Sequence, residues 1–133
     1  MSGETNIKSL LKNMTPKLNG GEYVFCSVSV ISSLNPEDII CTFKEEEGWT
    51  VILNKALADE LNYEYSYVAS WITLTIHSSL EAVGLTAAFS KALAEASISC
   101  NVVAAYYHDH IFVDRNDAEK AMKVLRQLSE DNR

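Results

Sequence analysis

Residues 72–113 read ITLTIHSSLEAVGLTAAFSKALAEASISCNVVAAYYHDHIFV and contain the clearest secondary-structure pattern in the chain. Over residues 72–76, apolar and polar side chains alternate, which predicts a half-buried strand. Over residues 85–96, apolar side chains recur at helical spacing, which predicts an amphipathic helix. The remainder predicts two strands, residues 101–107 and 110–114, that meet at a hairpin.

A second amphipathic helix, with apolar residues between positions 118 and 128, completes the C-terminal half. The predicted order is strand, helix, strand, strand, helix, with the helices on one face of an antiparallel sheet. A ferredoxin-like βαββαβ unit requires one more strand, and the residues that follow this helix are polar. We expect the strand of residues 22–31 to lie beside residues 71–77 and to supply the missing strand.

The N-terminal half begins with a short helix that ends before Thr15-Pro16. After the strand at residues 22–31, residues 32–36 have the composition of a loop where a ferredoxin-like unit would have a helix. A hairpin over residues 39–53 and a short helix follow. Residues 63–77 then alternate for longer than an ordinary strand, so we expect this strand to serve both halves.

Two segments of the C-terminal half resemble the ACT domain family. They are Val-Gly-Leu-Thr-Ala-Ala-Phe-Ser at residues 83–90 and His-Asp-His-Ile-Phe-Val at residues 108–113. Within the family, the chain is most similar to the small bacterial branch related to the CASTOR-type arginine sensors. The predicted fold class is therefore α+β, with two ferredoxin-like, ACT-like βαββαβ halves that share an antiparallel sheet, the first with a degraded helix. The predicted domains are residues 1–66 and 67–133.

The charge of the chain argues against two classes of partner. Eleven basic residues against 18 acidic residues give a net charge of -7, and such a surface repels nucleic-acid phosphates and anionic lipid. No apolar run approaches the roughly 20 residues that span a bilayer, and the N-terminus does not resemble a signal peptide. The three cysteines have no metal-binding spacing and are predicted to be reduced core residues. We therefore expect a cytoplasmic protein.

The turn Val83, Gly84, Leu85, Thr86 is the first part of a predicted ligand site. A glycine at a helix start allows close approach of a ligand, and the free N–H groups of the first helical turn favour an anion such as a carboxylate. The alternative interpretation is that Gly84 only relieves strain at the helix entry. The resemblance favours the ligand interpretation, because ACT ligands bind against this turn.

Asp109 is the second part of the predicted site. An aspartate at or near a hairpin tip is often only a turn residue. In the CASTOR-type sensors, the corresponding acidic residue helps to hold the ligand, which implies that Asp109 pairs with a cationic group. A carboxylate and a helix N-terminus together would suit an amino acid or a similar small zwitterion.

Residues His108 and His110 raise the alternative of a metal site. They would point to one face of a strand, but structural zinc sites need about four ligands and catalytic sites about three, and His77 is distant along the chain. We predict no metal, no cofactor and no catalytic residues, because no nucleophile has an identifiable base. The predicted function is an amino-acid-binding regulatory protein that forms a homo-oligomer. The alternatives are a ligand-free assembly domain and a small metal-dependent enzyme.

Overall fold

The computed structural model describes residues 6–76 and 83–133. The helices are α1 (Ile7–Asn13), α2 (Lys55–Glu60), α3 (Leu85–Glu95) and α4 (Ala118–Asp131). The strands are β1 (Thr15–Leu18), β2 (Tyr23–Val28), β3 (Cys41–Lys44), β4 (Trp49–Asn54), β5 (Val68–Thr75), β6 (Asn101–Ala104) and β7 (Asp109–Asp114). Short 3₁₀ turns span Pro36–Asp38 and Arg115–Asp117.

The chain forms two compact units. The first is Gly20–Ala69, in which the strand order is β3-β4-β2 followed by the start of β5. All of these pairs are antiparallel. Helix α2 covers one face of this sheet, and the apolar core includes Val24, Val51, Leu53 and Ala58. The position of the first ferredoxin-like helix holds only the turn Pro36–Asp38, which confirms the predicted loss of that helix.

The second unit contains residues 6–19 and the described residues from Ser70 onward. Its strand order is β1-β5-β7-β6, the order of a complete ferredoxin-like unit. Helices α1, α3 and α4 share the core with one face of this sheet. The largest fully buried side chains of that core are Phe89, Ile72, Leu74, Leu93, Ile111, Leu125 and Val113. The predicted α+β class with two ferredoxin-like units is therefore confirmed.

The strand that completes the C-terminal unit is not the one predicted. Strand β1 pairs antiparallel with β5, from Thr15 opposite Thr75 to Leu18 opposite Ile72. Strand β2 pairs instead with the first residues of β5, Val68 and Ala69. Strand β1 has no recognisable strand pattern in the sequence, because it has only four residues and contains Pro16, which has no N–H to donate. Proline is tolerated on an edge strand, and among the described strands β1 pairs only with β5.

Strand β5 takes part in both units, as predicted, but it is shorter than residues 63–77. Asn62 adopts a positive φ of 60° after α2, and the chain reaches extended pairing only at Val68. Tyr63 and Tyr65 therefore precede the strand instead of lying on its face, and both pack against the core of the first unit. The predicted domain boundary between residues 66 and 67 is not tested by these strand pairings and stays a prediction.

Candidate functional site

A helix that follows a strand and packs back on its sheet begins at the end where the strand finishes, and this rule places the start of α3 at the end of β5. Gly84 is the N-cap residue, with φ of 93° and ψ of -9°, and no side chain caps the helix within the described residues. The first hydrogen bond of the helix joins the Ala88 N–H to the Gly84 carbonyl oxygen at 3.0 Å. The N–H groups of Leu85, Thr86 and the next residue have no intrahelical acceptor in such geometry and are directed outward. Helix α3 therefore presents donors and a partial positive charge to any anion at this end.

Gly84 occupies backbone space that other residues rarely adopt. A Cβ at this position would lie 3.7 Å from Cγ1 of Ile7, which is ordinary contact, so steric overlap does not require the glycine. The positive φ requires it. Ile7 belongs to α1, so the N-terminal helix forms one wall beside the turn. This neighbour was not predicted, since nothing in the local sequence indicates a contact between positions 7 and 84.

Substitution Gly84→Ala is expected to lower the free energy of unfolding by about 1 to 2 kcal/mol, because alanine in left-handed geometry is strained. Chemical denaturation with urea measures this change. Gly20→Ala is the matched control, since nothing lies within 4 Å of a Cβ at that position and its φ is not positive. A Gly84→Ala protein as stable as the Gly20→Ala protein would show that the left-handed geometry is not needed.

Asp109 lies near the tip of the β6–β7 hairpin, but not at it. It is the first residue of β7 and pairs with Ala104 of β6. The tip is formed by Tyr106 and Tyr107, since the Ala105 N–H donates to the His108 carbonyl oxygen at 3.0 Å. The sequence pattern predicted that the strand of residues 101–107 includes both tyrosines, because tyrosine is not a residue type that favours turns. Asp109 is therefore part of the sheet, and the residue is 8% exposed.

The topology places Asp109 and the start of α3 at the same end of the C-terminal unit. Strands β5 and β7 are neighbours, and their contacts run antiparallel because Trp71 stacks on Phe112 whereas Thr73 contacts His110. The start of β7 therefore lies beside the end of β5. Alternate side chains of a strand point to the same face of the sheet. Asp109 is therefore on the same face as Ile111 and Val113, which belong to the core beneath the helices. Its side chain accordingly lies on the face that α3 covers.

The Asp109 side chain is largely buried, and its carboxylate is only partly compensated. In the described part of the chain, it makes no hydrogen bond or ion pair, and burial raises its pKa above the ordinary value of 3.8, against a smaller opposing effect of the His108 charge. A buried carboxylate usually has a partner, because an unpaired one costs stability. Such a group is typical of a binding site whose ligand supplies the counter-charge.

The opposite face of the same strands carries a polar network around His110. The Trp71 indole Nε1–H donates to Nδ1 of His110 at 3.0 Å, and the Thr73 hydroxyl lies 3.1 Å from the same nitrogen. The Asn19 amide donates to Oγ1 of Thr73 at 2.9 Å. Because an indole can only donate, Nδ1 is the acceptor and the neutral ring carries its proton on Nε2. If Nδ1 were protonated, its N–H would face the N–H of Trp71, and this hydrogen bond would be lost.

Acid is expected to destabilise the protein through His110. Burial and the charge of His108 lower the pKa of His110 from its ordinary value of 6.5, so the unfolded chain binds this proton more readily. Stability is fully present above pH 6.5 and falls as the pH decreases from there toward the folded pKa. His110→Asn keeps an acceptor for Trp71 without a titrating group. The free energy of unfolding of wild type should fall more steeply between pH 7 and 5 than that of His110→Asn, and parallel profiles would contradict this assignment.

The alternatives that sequence analysis kept open find little support in the geometry. The rings of His108 and His110 are 6.5 Å apart between centroids, yet residues 6–76 and 83–133 contain no cluster of three groups that could hold a metal. His77 lies outside the described residues. Burial raises the pKa of the Cys26 and Cys100 thiols, so both thiols are protonated at neutral pH and are poor nucleophiles. No described helix is long and apolar enough to cross a membrane.

Comparisons with known proteins agree with this architecture. Two family models, each for an ACT domain, match residues 2–70 and 66–127. The chain belongs to the ACT domain family. The matches cover both ferredoxin-like units, and ACT domains have ligand-binding regulatory roles. The comparisons do not test the relation to the CASTOR-type branch, which stays a prediction.

Solved structures extend the comparison. A Vibrio cholerae protein of unknown function, described as a possible transport protein, is 47% identical, with a TM-score of 0.84 over 92% of this ACT protein and 94% of that chain. A protein from Agrobacterium tumefaciens is 15% identical, with a TM-score of 0.67 over 87% and 89% of the two chains. The ligand-free regulatory subunit of aspartate kinase from Thermus thermophilus is 10% identical, with a TM-score of 0.59 over 85% and 95%. The last two show the fold alone. No curated protein matches the chain.

Proposed function

We propose that this ACT protein is a regulatory protein that binds an amino acid or a similar small zwitterion, and is not an enzyme. The proposed site consists of Val83, Gly84, Leu85, Thr86 and Asp109. The observation that carries the proposal is the largely buried Asp109 carboxylate, which makes no hydrogen bond or ion pair in the described residues and lies at the same end of the unit as the uncapped start of α3. The predicted resemblance to the arginine sensors supports an amino acid as the ligand.

The two charges of a zwitterion match the two features of the site. The ligand carboxylate would accept hydrogen bonds from the N–H groups that follow Gly84, and the helix dipole contributes up to about 2 kcal/mol when the site is partly buried. The ligand ammonium would pair with Asp109 and replace the water that this carboxylate lost on folding. A ligand with only one of the two charges would bind either the N–H groups of the helix start or the Asp109 carboxylate, and would leave the other group without a partner.

Regulation would operate by linkage between the ligand and an assembly. The proposed protein is a cytoplasmic homo-oligomer or binds a partner protein, and the ligand shifts the assembly only by its difference in affinity for two states. Affinities between about 1 mM and 1 μM correspond to roughly 4 to 8 kcal/mol, which is ample for such a shift. Sedimentation velocity with and without ligand measures the change in assembly.

A thermal-shift screen against the twenty amino acids tests the proposed function. A ligand at about 100 times its Kd adds about 2.7 kcal/mol of stability, a shift of several degrees for a chain of this size. The same screen with Asp109→Asn should show no shift for the amino acid that stabilises wild type. If no amino acid stabilises wild type, the amino-acid function is wrong and a ligand-free assembly role becomes the better explanation.

A further inference from the structure

The unit Gly20–Ala69 contains an open cavity of about 630 Å³ whose lining combines aromatic rings with one carboxylate. One lining residue belongs to β2, and the other four lie between α2 and β5. The lining residues are Phe25, Tyr63, Glu64, Tyr65 and Ser66. Three of the five are aromatic, whereas aromatic residues are 9% of the chain, and none of the five is basic. The composition of this cavity is therefore suited to a cation and not to an anion.

The segment that forms most of the lining is held in place by hydrogen bonds and packing. The Tyr63 N–H donates to the Ala58 carbonyl oxygen at 2.9 Å. The Tyr65 hydroxyl donates to Oδ1 of Asp59 at 2.6 Å. Tyr63 and Tyr65 also pack against the apolar core of the unit. A ligand would thus meet a wall that is already ordered, and would lose less free energy to ordering the protein.

Glu64 supplies the negative charge of the cavity. Asp59 is already engaged, because Oδ2 lies 3.0 Å from Nζ of Lys55 and the hydrogen bonds from Tyr65 and Lys55 lower the pKa of Asp59. Glu64 is exposed, and in the described part of the chain it makes no hydrogen bond or ion pair. Its carboxylate is therefore available to a cationic ligand.

The aromatic rings favour a cation as well. The face of an aromatic ring carries partial negative charge and attracts ammonium groups within about 6 Å of the ring centroid. Nζ of Lys55 already lies 5.9 Å from the centroid of the Tyr65 ring. The Phe25 ring meets the ring of Tyr67 edge to face, with centroids 6.3 Å apart, which fixes its position within the unit. Phe25 and Tyr63 are the remaining rings of the lining that a ligand can contact.

We propose that this cavity, here called the aromatic cavity, binds an organic monocation, with the ammonium group near Glu64 and the apolar carbons against Phe25 and Tyr63. The ligand lacks a carboxylate, because the lining has no basic side chain to pair with one and Glu64 would repel it. The net charge of -7 raises the local concentration of cations around the protein. This site is separate from the proposed amino-acid site, which lies in the other unit.

Amide NMR titration of the labelled full chain with three small probes tests the inference. The probes are 2-phenylethylammonium, 2-phenylethanol and phenylacetate, which are similar in size and differ in charge. The cation should bind about 5-fold more tightly than the alcohol, and phenylacetate more weakly than either. The largest chemical-shift changes should occur at the amides of Phe25 and residues 63–66.

Two pairs of variants separate the carboxylate from the rings. Glu64→Gln should reduce the preference for the cation over the alcohol to within about 2-fold. Glu60→Gln makes the same change at an exposed residue outside the lining and should keep the preference. Phe25→Leu should weaken binding of the cation by about 5-fold. Phe43→Leu is the matched control, since Phe43 is 70% exposed and does not line the cavity.

Four results would overturn the aromatic cavity. They are absence of binding of 2-phenylethylammonium at millimolar concentration, equal binding of the three probes, equal losses in Glu60→Gln and Glu64→Gln, and loss of cation binding in Asp109→Asn. The third would show attraction by net charge alone, and the fourth would place the cation in the other unit. None of these results bears on amino-acid binding, and failure of the amino-acid screen would leave the aromatic cavity in place.

Discussion

A chain that begins at Tyr67 and ends at Arg133 is expected to remain unfolded, whereas the same chain extended by residues 6–19 after a short Gly/Ser linker is expected to fold. The extension restores β1, which pairs with β5. It also restores Leu10, Leu11 and Met14, each no more than 5% exposed. Burial of each such side chain contributes about 1.5 to 3 kcal/mol. Their joint loss is comparable with the whole stability of a domain, about 5 to 15 kcal/mol.

The permuted order is feasible because the two joined ends lie close together. Asn6 and Arg133 line one open cavity of about 590 Å³, and the Ser129 hydroxyl of α4 donates to the Lys12 carbonyl oxygen at 3.0 Å. A flexible linker of about six residues is sufficient. Amide NMR dispersion measures folding, and the permuted chain with residues 6–19 in scrambled order is the control. A dispersed spectrum from residues 67–133 alone would contradict the role of β1.

Asp109→Asn is expected to stabilise the ligand-free protein while it removes ligand binding. Replacement of the buried charge by a neutral amide of the same shape should raise the free energy of unfolding by on the order of 1 kcal/mol, about 4 °C in Tm. Loss of the pair with the ligand ammonium should weaken binding by more than about 100-fold, since breaking a buried ion pair costs about 3 to 5 kcal/mol. The native Asp109 would thus lower the stability of the ligand-free protein in exchange for ligand binding.

The stability that Asp109→Asn gains over wild type should increase with pH. The folded pKa of Asp109 is raised above 3.8, so the folded protein holds this proton more tightly than the unfolded chain does. The stability penalty is present above the folded pKa and disappears as the pH falls toward 3.8. The advantage of Asp109→Asn should therefore be largest at neutral pH and vanish near pH 4.

Asp114→Asn is the matched control for Asp109→Asn. It makes the same chemical change at the other end of β7, where the side chain accepts a hydrogen bond from the Asn116 N–H and an asparagine can do the same. Its free energy of unfolding at neutral pH should stay within about 0.5 kcal/mol of that of wild type. Urea denaturation between pH 4 and 7.5 measures both variants. Equal effects of the two substitutions would contradict the special environment of Asp109.

The elements with a strong local pattern were predictable from the sequence. Strand β5, helix α3 and the hairpin of β3 and β4 have regular apolar spacing or a glycine turn. The degraded helix was also predictable, because residues 32–36 contain loop chemistry. These features depend on neighbours along the chain, which the sequence displays directly.

The features that depend on distant contacts were not predictable. Strand β1 gains its structure from pairing with residues more than fifty positions away, and its proline hides the pattern. Asp109 was identified by chemistry, but its burial comes from the register of β7 against β6, which the tyrosine turn sets. The wall that Ile7 forms beside Gly84 arises from the packing of α1. Burial and register are tertiary properties and override local propensity.

The most direct test of amino-acid binding at the α3 and Asp109 site is an amide NMR titration of the labelled full chain with the amino acid that gives the largest thermal shift. We expect the largest chemical-shift changes at the amides of Leu85, Thr86 and Asp109, and no changes in Asp109→Asn at the same ligand concentration. Changes confined to Gly20–Ala69, with these amides unaffected, would contradict the account and place the ligand in the other unit.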